Sequence, residues 1–173
     1  MSQPTQLKLD HKFDAETMRH YLNGELSVLH CHHYASLYTQ LAIDANETEL
    51  LASVAEETFT SVLSDYFEKN SVESLDDRIA AGCNYFAAIG LGKMSVTYLG
   101  NDSGQIVLEE SHVDKGWMKK WGSFDAPVNH IGRGYIAGMF SAVWGKSVKT
   151  YQVREVESIV TGAEKSCFKV HKG

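Results

Sequence analysis

The chain has 173 residues, of which 43% are hydrophobic and 22% charged, and its formal net charge is −6. This length suits one domain with a sizeable core, and no basic stripe offsets the negative charge to favour nucleic-acid binding. No apolar run approaches the ~20 residues of a membrane span, and residues 1–13 lack the apolar centre of a signal peptide. We therefore expect a cytoplasmic single domain, residues 1–173, with no nucleic-acid partner and no membrane span.

The three cysteines, Cys31, Cys83 and Cys167, lie far apart in the sequence. Their odd number and the absence of a CxxC pair are untypical of a disulfide framework or of a structural zinc module. We expect all three to be reduced thiols.

The first half of the chain has the patterns of helices. Asp14 is a candidate cap for a short helix over residues 15–23, within an N-terminal extension formed by residues 1–25. The helical half of the chain, residues 26–92, has three further segments with 3.6-residue periodicity or capping signals. These predicted helices are residues 26–44, a helix that begins at Asn46 or Thr48, and a helix from a capping box at Ser74 to about Ile89.

The second half, residues 93–173, has the patterns of an antiparallel sheet. Residues 94–99 and 105–109 flank the turn sequence GNDSG, which indicates a β-hairpin. A second hairpin is predicted from residues 147–160 and 167–172. The expected fold is therefore α+β, with N-terminal helices followed by an antiparallel sheet of about four strands and a helix inserted between the two hairpins.

Two segments lie between the predicted hairpins. Residues 111–121 have the composition of a short polar helix or loop, whereas residues 129–144 have helical periodicity. In the second segment Gly134, Gly138 and Ala142 form one row of small residues. Each glycine weakens a helix by up to ~1 kcal/mol relative to alanine, so we expect this row to approach a sheet or a second subunit closely.

The densest group of potential metal or cofactor ligands is the sequence HCHHY, which begins at His30. His30 and His33 are three residues apart, so on a helix they share a face and could both reach one metal ion. A third ligand would have to come from His20, His112 or His130. Two other interpretations stay open: the rings pack against the sheet, or an imidazole orients a small molecule or ligates a haem iron.

The predicted strand at residues 151–157 places Tyr151, Val153, Glu155 and Glu157 on one face. A carboxylate on that face either points inward, where it needs hydrogen-bond partners, or marks the solvent-exposed end of the strand. The sequence leaves both alternatives open.

Motifs near the C-terminus resemble those of a known family. The chain has Pro-Val-Asn-His at residues 127–130, Gly-Tyr-Ile-Ala-Gly at residues 134–138, Glu155-x-x-Ser158, and Ser-Cys-Phe from Ser166. This pattern resembles the four-vinyl-reductase, or hydrocarbon-binding, domain family, and it is specific over residues 127–168. The resemblance implies the family's α+β fold, a homodimer, and a ligand pocket between helices and sheet.

Family members with a zinc site use three cysteines and one glutamate. The corresponding positions here are Asn129, Glu155, Ser158 and Ser166, so only the glutamate is retained. Amide and hydroxyl oxygens are weak zinc ligands, whereas thiolates bind zinc tightly. We therefore expect no zinc at these positions, but a structural polar cluster in which Glu155 accepts hydrogen bonds from the other three residues.

The first functional hypothesis is a stand-alone domain that binds or senses an apolar or aromatic small molecule and acts as a carrier or accessory protein rather than as an enzyme. Its ligand is expected between the helix at residues 26–44, the segment 117–124 and the sheet. The tryptophans could instead serve ordinary core or dimer packing. The residues expected to contact the ligand are His30, His33, Tyr34, Trp117, Trp121, Phe124, His130 and Tyr151.

Two alternatives belong to other classes. One is a metal- or haem-dependent enzyme or sensor that uses His30 and His33, and the other is a dimeric structural subunit of a larger complex. On the first hypothesis no cofactor is expected, whereas haem or a divalent metal would accompany the histidine cluster. A sensor would also need a protein partner for signal output. The sequence does not identify the ligand, because one scaffold hosts many functions.

Overall fold

The computed structural model describes residues 7–28 and 31–173, and its first element is a small sheet. Strands β1 (His11–Asp14), β2 (Arg19–Leu22) and β3 (Glu25–Ser27) pair in that order as an antiparallel sheet. The short helix predicted over residues 15–23 is therefore wrong. Its proposed cap, the Asp14 carboxylate, instead accepts hydrogen bonds from the Thr17 hydroxyl and from two backbone N–H groups of the turn between β1 and β2.

Three helices follow this sheet: α1 (His32–Asp44), α2 (Thr48–Lys69) and α3 (Leu75–Ala88). Helix α1 begins later than predicted, because β3 occupies part of the expected segment and Cys31 has an extended backbone. The cap of α3 is confirmed: the Ser74 hydroxyl accepts the backbone N–H of Asp77 at 3.1 Å. Over the described ranges, no helix combines the length and the apolar character that crossing a bilayer requires.

A four-stranded antiparallel sheet forms the second half. Its strands are β4 (Gly92–Leu99), β5 (Ser103–Ser111), β6 (Tyr151–Glu157) and β7 (Ser166–Lys172), in the spatial order β4-β5-β7-β6. Two helices, α4 (His112–Trp121) and α5 (His130–Trp144), lie between β5 and β6 in the chain. A 3-10 turn, Ile159–Thr161, precedes β7. The α+β class and the paired hairpins agree with the prediction.

Helix α5 lies at the centre of the core, and nearly all of its side chains are buried. A Cβ atom at Gly134 would overlap the carbonyl oxygen of Ala52, and one at Gly138 would lie 2.7 Å from the carbonyl oxygen of Glu56. Both oxygens belong to α2. The row of small residues therefore lets two helix backbones approach, and it does not face the sheet or a second subunit as expected.

Candidate functional site

A cavity of about 500 Å³ lies where α1, α2 and α5 meet the turn that follows α3. Its volume falls in the range of ~300–1,000 Å³ that is typical of small-molecule sites. Among the described lining residues, Tyr38 and His112 carry polar side-chain atoms. The lining consists of Val28, Ala35, Tyr38, Phe59, Ala88, Ile89, Gly90, Leu91, His112 and Ile131.

The turn after α3 fixes one wall of this cavity. The left-handed backbone of Gly90, with φ of 82°, ends the helix and reverses the chain into β4. The N–H of Leu91 then donates to the carbonyl oxygen of Phe86 at 3.1 Å, and the carbonyl oxygen of Leu91 accepts the N–H of His112 at 2.9 Å. This second bond joins the turn to the start of α4, so it positions His112 at the cavity.

A buried polar cluster lies apart from the cavity, where α4, the start of α5, β6 and β7 come together. Asn129, Ser158 and Ser166 are at most 2% exposed, Glu155 is 9% exposed, and the side chain of Asp114 from α4 joins them with no exposure. Ser166 donates its hydroxyl to an Asp114 oxygen at 2.8 Å and accepts the backbone N–H of Ile159 at 3.1 Å.

Asn129 forms the other hydrogen bonds of the cluster. Its side-chain N–H donates to the hydroxyl of Ser111 at 3.0 Å, and its side-chain oxygen accepts the N–H of Gly132 at 2.9 Å, which caps α5. Asn129 and Ser166 thus donate side-chain hydrogen bonds to Ser111 and Asp114, two residues that were not expected at the site. Although burial raises the pKa of Glu155, hydrogen bonding from Ser158, Ser166 and the Asn129 backbone lowers it in part, and the expected role of Glu155 as the acceptor of the cluster stays a prediction.

The pKa values of the two carboxyl groups of the cluster are both raised. Burial first, and then the neighbouring Asp114 carboxyl, raise the pKa of Glu155 to about 7. Burial also raises the pKa of Asp114, although hydrogen bonds from Ser111, Ser166 and Asn129 act in the opposite direction. The Glu155 side chain is buried, whereas that of Glu157 is exposed. Of the two alternatives for this strand, Glu155 is therefore the carboxylate that points inward, and Glu157 marks the solvent-exposed end.

Comparisons with known proteins place this geometry in a structural context. No family model matches the chain, and no curated protein matches it significantly. The phenol-responsive sensory domain of the transcription activator PoxR, crystallised with phenol, superposes with a TM-score of 0.80 and 16% identity, covering 94% of this chain and 84% of that one. A vinyl-4-reductase family protein from Methanocaldococcus jannaschii has a TM-score of 0.59 and 18% identity, with 85% and 84% covered.

The chain has the four-vinyl-reductase fold. A trafficking protein particle complex subunit 3 from Naegleria fowleri, covalently bound to palmitic acid, is also similar, with a TM-score of 0.54 and 16% identity over 81% of this chain and 90% of that one. At such low identities the superpositions establish the shared architecture alone, which agrees with the resemblance seen in the C-terminal motifs.

The zinc that some four-vinyl-reductase domains hold does not fit the residues of this chain. The four corresponding side chains supply oxygen atoms in place of three thiolates, and two of them, Asn129 and Ser166, already form hydrogen bonds within the cluster. Within residues 7–28 and 31–173, no group of three or more His, Cys, Asp or Glu side chains is arranged to hold a metal ion.

Three of the predicted ligand contacts form an aromatic cluster elsewhere in the four-vinyl-reductase fold. The Trp117 ring lies 4.7 Å from the Trp121 ring and 5.2 Å from the Phe124 ring, measured between centroids. Trp117 is buried against Val128 and Val160. These contacts hold α4 against the 3-10 turn, and none of the three aromatic residues lines the 500 Å³ cavity.

The remaining predicted contacts are dispersed. His33 and Tyr34 are exposed at the start of α1, and the Tyr151 hydroxyl donates to the carbonyl oxygen of Asn101 at 2.9 Å. His130 begins α5, where burial and then the charge of Arg133 lower its pKa to about 4. None of these four residues lines the 500 Å³ cavity. His30 lies outside the described residues, so the proposed His30–His33 pair does too.

Proposed function

We propose that the chain is a small-molecule binding or sensing domain whose ligand occupies the 500 Å³ cavity. The observation that carries this proposal is that the cavity is lined mainly by apolar side chains from α1, α2 and α5. Tyr38 and His112 add polar atoms to this lining. Burial of apolar ligand surface contributes about 25 cal/mol per Å², and a small number of polar groups then set the orientation. This arrangement suits an apolar or aromatic molecule that carries a polar group at one end.

The solved structures with this fold support the same class of ligand. The PoxR sensory domain was crystallised with phenol, and the trafficking complex subunit carries palmitic acid. Both molecules combine an apolar body with one polar end.

The proposal includes a homodimer that acts on a protein partner as a sensor, carrier or accessory protein. Leu37 and Leu41 on α1, and Leu50 and Val54 on α2, each expose more than a third of their surface. Apolar side chains of this kind on neighbouring helices support pairing with a second copy.

Native mass spectrometry and thermal unfolding test the proposal together. We expect at least one of the neutral probes phenol, naphthalene and decanol to bind non-covalently and to raise the Tm by about 5 °C or more at a concentration of about 100 times its Kd. The same spectra report whether the chain is a dimer. The ligand-binding function would be contradicted if none of the probes changed the Tm and the mass spectra showed only the protein without a bound probe.

A further inference from the structure

A second cavity, of about 280 Å³, adjoins the apolar one at the start of α4. Gly90 and His112 line both cavities, so they form a shared rim. We call the second cavity the basic cleft. Its lining consists of His32, Gly90, Gly92, Glu110, Ser111, His112, Lys115, Gly116 and Lys119.

Basic side chains predominate in this cleft. The Lys115 ammonium forms an ion pair with the Glu110 carboxylate, which is the one acidic side chain of the described lining. Lys119 forms no ion pair with any described residue. The His32 ring lies 5.7 Å from the His112 ring, edge to face, and a third imidazole, that of His33, lies 4.2 Å from His32.

The position of His32 is fixed by the contact between α1 and α4. A Cβ atom at Gly116 would lie 2.6 Å from the Ser36 hydroxyl oxygen and 3.1 Å from the His32 Cβ, so a glycine is needed where the helices meet. The Nε2 atom of His32 is shielded from water and has no hydrogen-bond partner in the described part of the chain. A buried polar atom without a partner costs about 1–3 kcal/mol, and a ligand oxygen that meets Nε2 after a small rotation of the ring would remove this cost.

The electrostatic environment of His32 also favours an anion. Burial lowers the pKa of His32, and the nearby His33, Lys119 and His112 lower it further, because each adds positive charge. A bound anion would reverse this repulsion. Since Lys115 is paired with Glu110, Lys119 supplies the main uncompensated charge of the cleft, which matches a monoanion better than a doubly charged phosphate.

We propose that the ligand is an amphiphilic carboxylate, with its apolar body in the 500 Å³ cavity and its headgroup in the basic cleft beside His32, His112 and Lys119. This assignment rests on the proposed function, because the apolar cavity must hold the body of the ligand. His112 lies on the shared rim, where the apolar body and the carboxylate meet.

Calorimetric titration of the full chain with decanoate and with decanol tests the headgroup assignment, because the two probes share a chain length and differ in charge. We expect decanoate to bind about tenfold more tightly than decanol. Lys119→Gln should weaken decanoate binding about fivefold and leave decanol binding unchanged. Lys120→Gln is the matched control, since Lys120 lies over the Trp121 ring at 4.4 Å and outside the cleft lining.

Three results would overturn the assignment. Equal affinities for the two probes, or the same decanoate affinity in both lysine variants, would reject the carboxylate headgroup while the proposed function stands. Failure of the wild-type protein to bind either probe would also reject the headgroup assignment, and the proposed function would then depend on the measurements with phenol and naphthalene. Lys119 is exposed, so its replacement should not disturb folding.

Discussion

Gly134→Ala is expected to destabilise the protein by about 3 kcal/mol or more, although alanine is the better helix former in isolation. The added Cβ would overlap the carbonyl oxygen of Ala52 and lie 2.8 Å from the Cβ of Ala55. Both atoms belong to α2, and a backbone oxygen within a helix cannot rotate away. The two helices would therefore have to separate, which loosens the packing at the centre of the core.

Gly82→Ala is the matched control for this prediction, because its Cβ would meet a flexible side chain. The nearest atoms are the sulfur and Cγ of Met139, at 2.7 and 2.8 Å. A methionine can change rotamer, and the gain in helix propensity offsets part of the remaining cost, so we expect a loss of no more than about 1 kcal/mol. Urea unfolding followed by circular dichroism measures both variants. If Gly134→Ala proves at least as stable as Gly82→Ala, the close contact between α2 and α5 is wrong.

Glu155→Gln is expected to stabilise the protein by about 3 kcal/mol at pH 8 and to have almost no effect at pH 4. Burial and the adjacent Asp114 raise the pKa of Glu155 from 4.5 to about 7. The folded protein therefore holds a proton that the unfolded chain releases at lower pH, so this group makes stability fall as the pH rises from 4.5 to 7. Glutamine keeps the shape of the side chain but carries no charge at pH 8.

The difference between variant and wild type is the quantity to measure, because another group opposes the trend. The pKa of His130 is lowered from 6.5 to about 4, so the folded state binds fewer protons between these values and stability rises with pH there. Urea unfolding at pH 4, 6 and 8 gives the difference directly. Glu157→Gln, on the exposed part of the same strand, is the control and should show no such pH dependence. A Glu155→Gln difference that stays constant with pH would contradict the buried carboxyl pair.

The parts of the fold that the sequence predicted well have strong local signals. The GNDSG turn determines the β4–β5 hairpin. The Ser74 hydroxyl accepts the backbone N–H of Asp77, three residues later, and so begins α3. The failure at residues 15–23 has a physical cause as well. An aspartate that precedes free N–H groups can cap a helix or close a turn, and the choice depends on pairing between Asp14 and Arg19 across the β1–β2 turn.

The site was less predictable, because its residues come from separate elements. Phe59 and Ile131 have the spacing of ordinary core positions, and periodicity does not distinguish a side chain that lines a cavity from one that fills the core. Trp117 was expected at the ligand but packs against Val128 and Val160. Asp114 carried one local signal, the capping spacing from Ser111, and its burial beside Glu155 depends on how α4 lies on the sheet.

The most direct test of ligand binding in the 500 Å³ cavity compares two tryptophan variants. Both alanines are exposed, but Ala88 lines the cavity whereas Ala87 lies outside its lining, so Ala88→Trp should fill the cavity and Ala87→Trp should leave it open. The measurement is fluorescence titration with the neutral dye Nile red. We expect wild type and Ala87→Trp to bind the dye alike, and Ala88→Trp to bind at least about tenfold more weakly. Equal dye affinity in all three proteins would contradict a ligand site in this cavity.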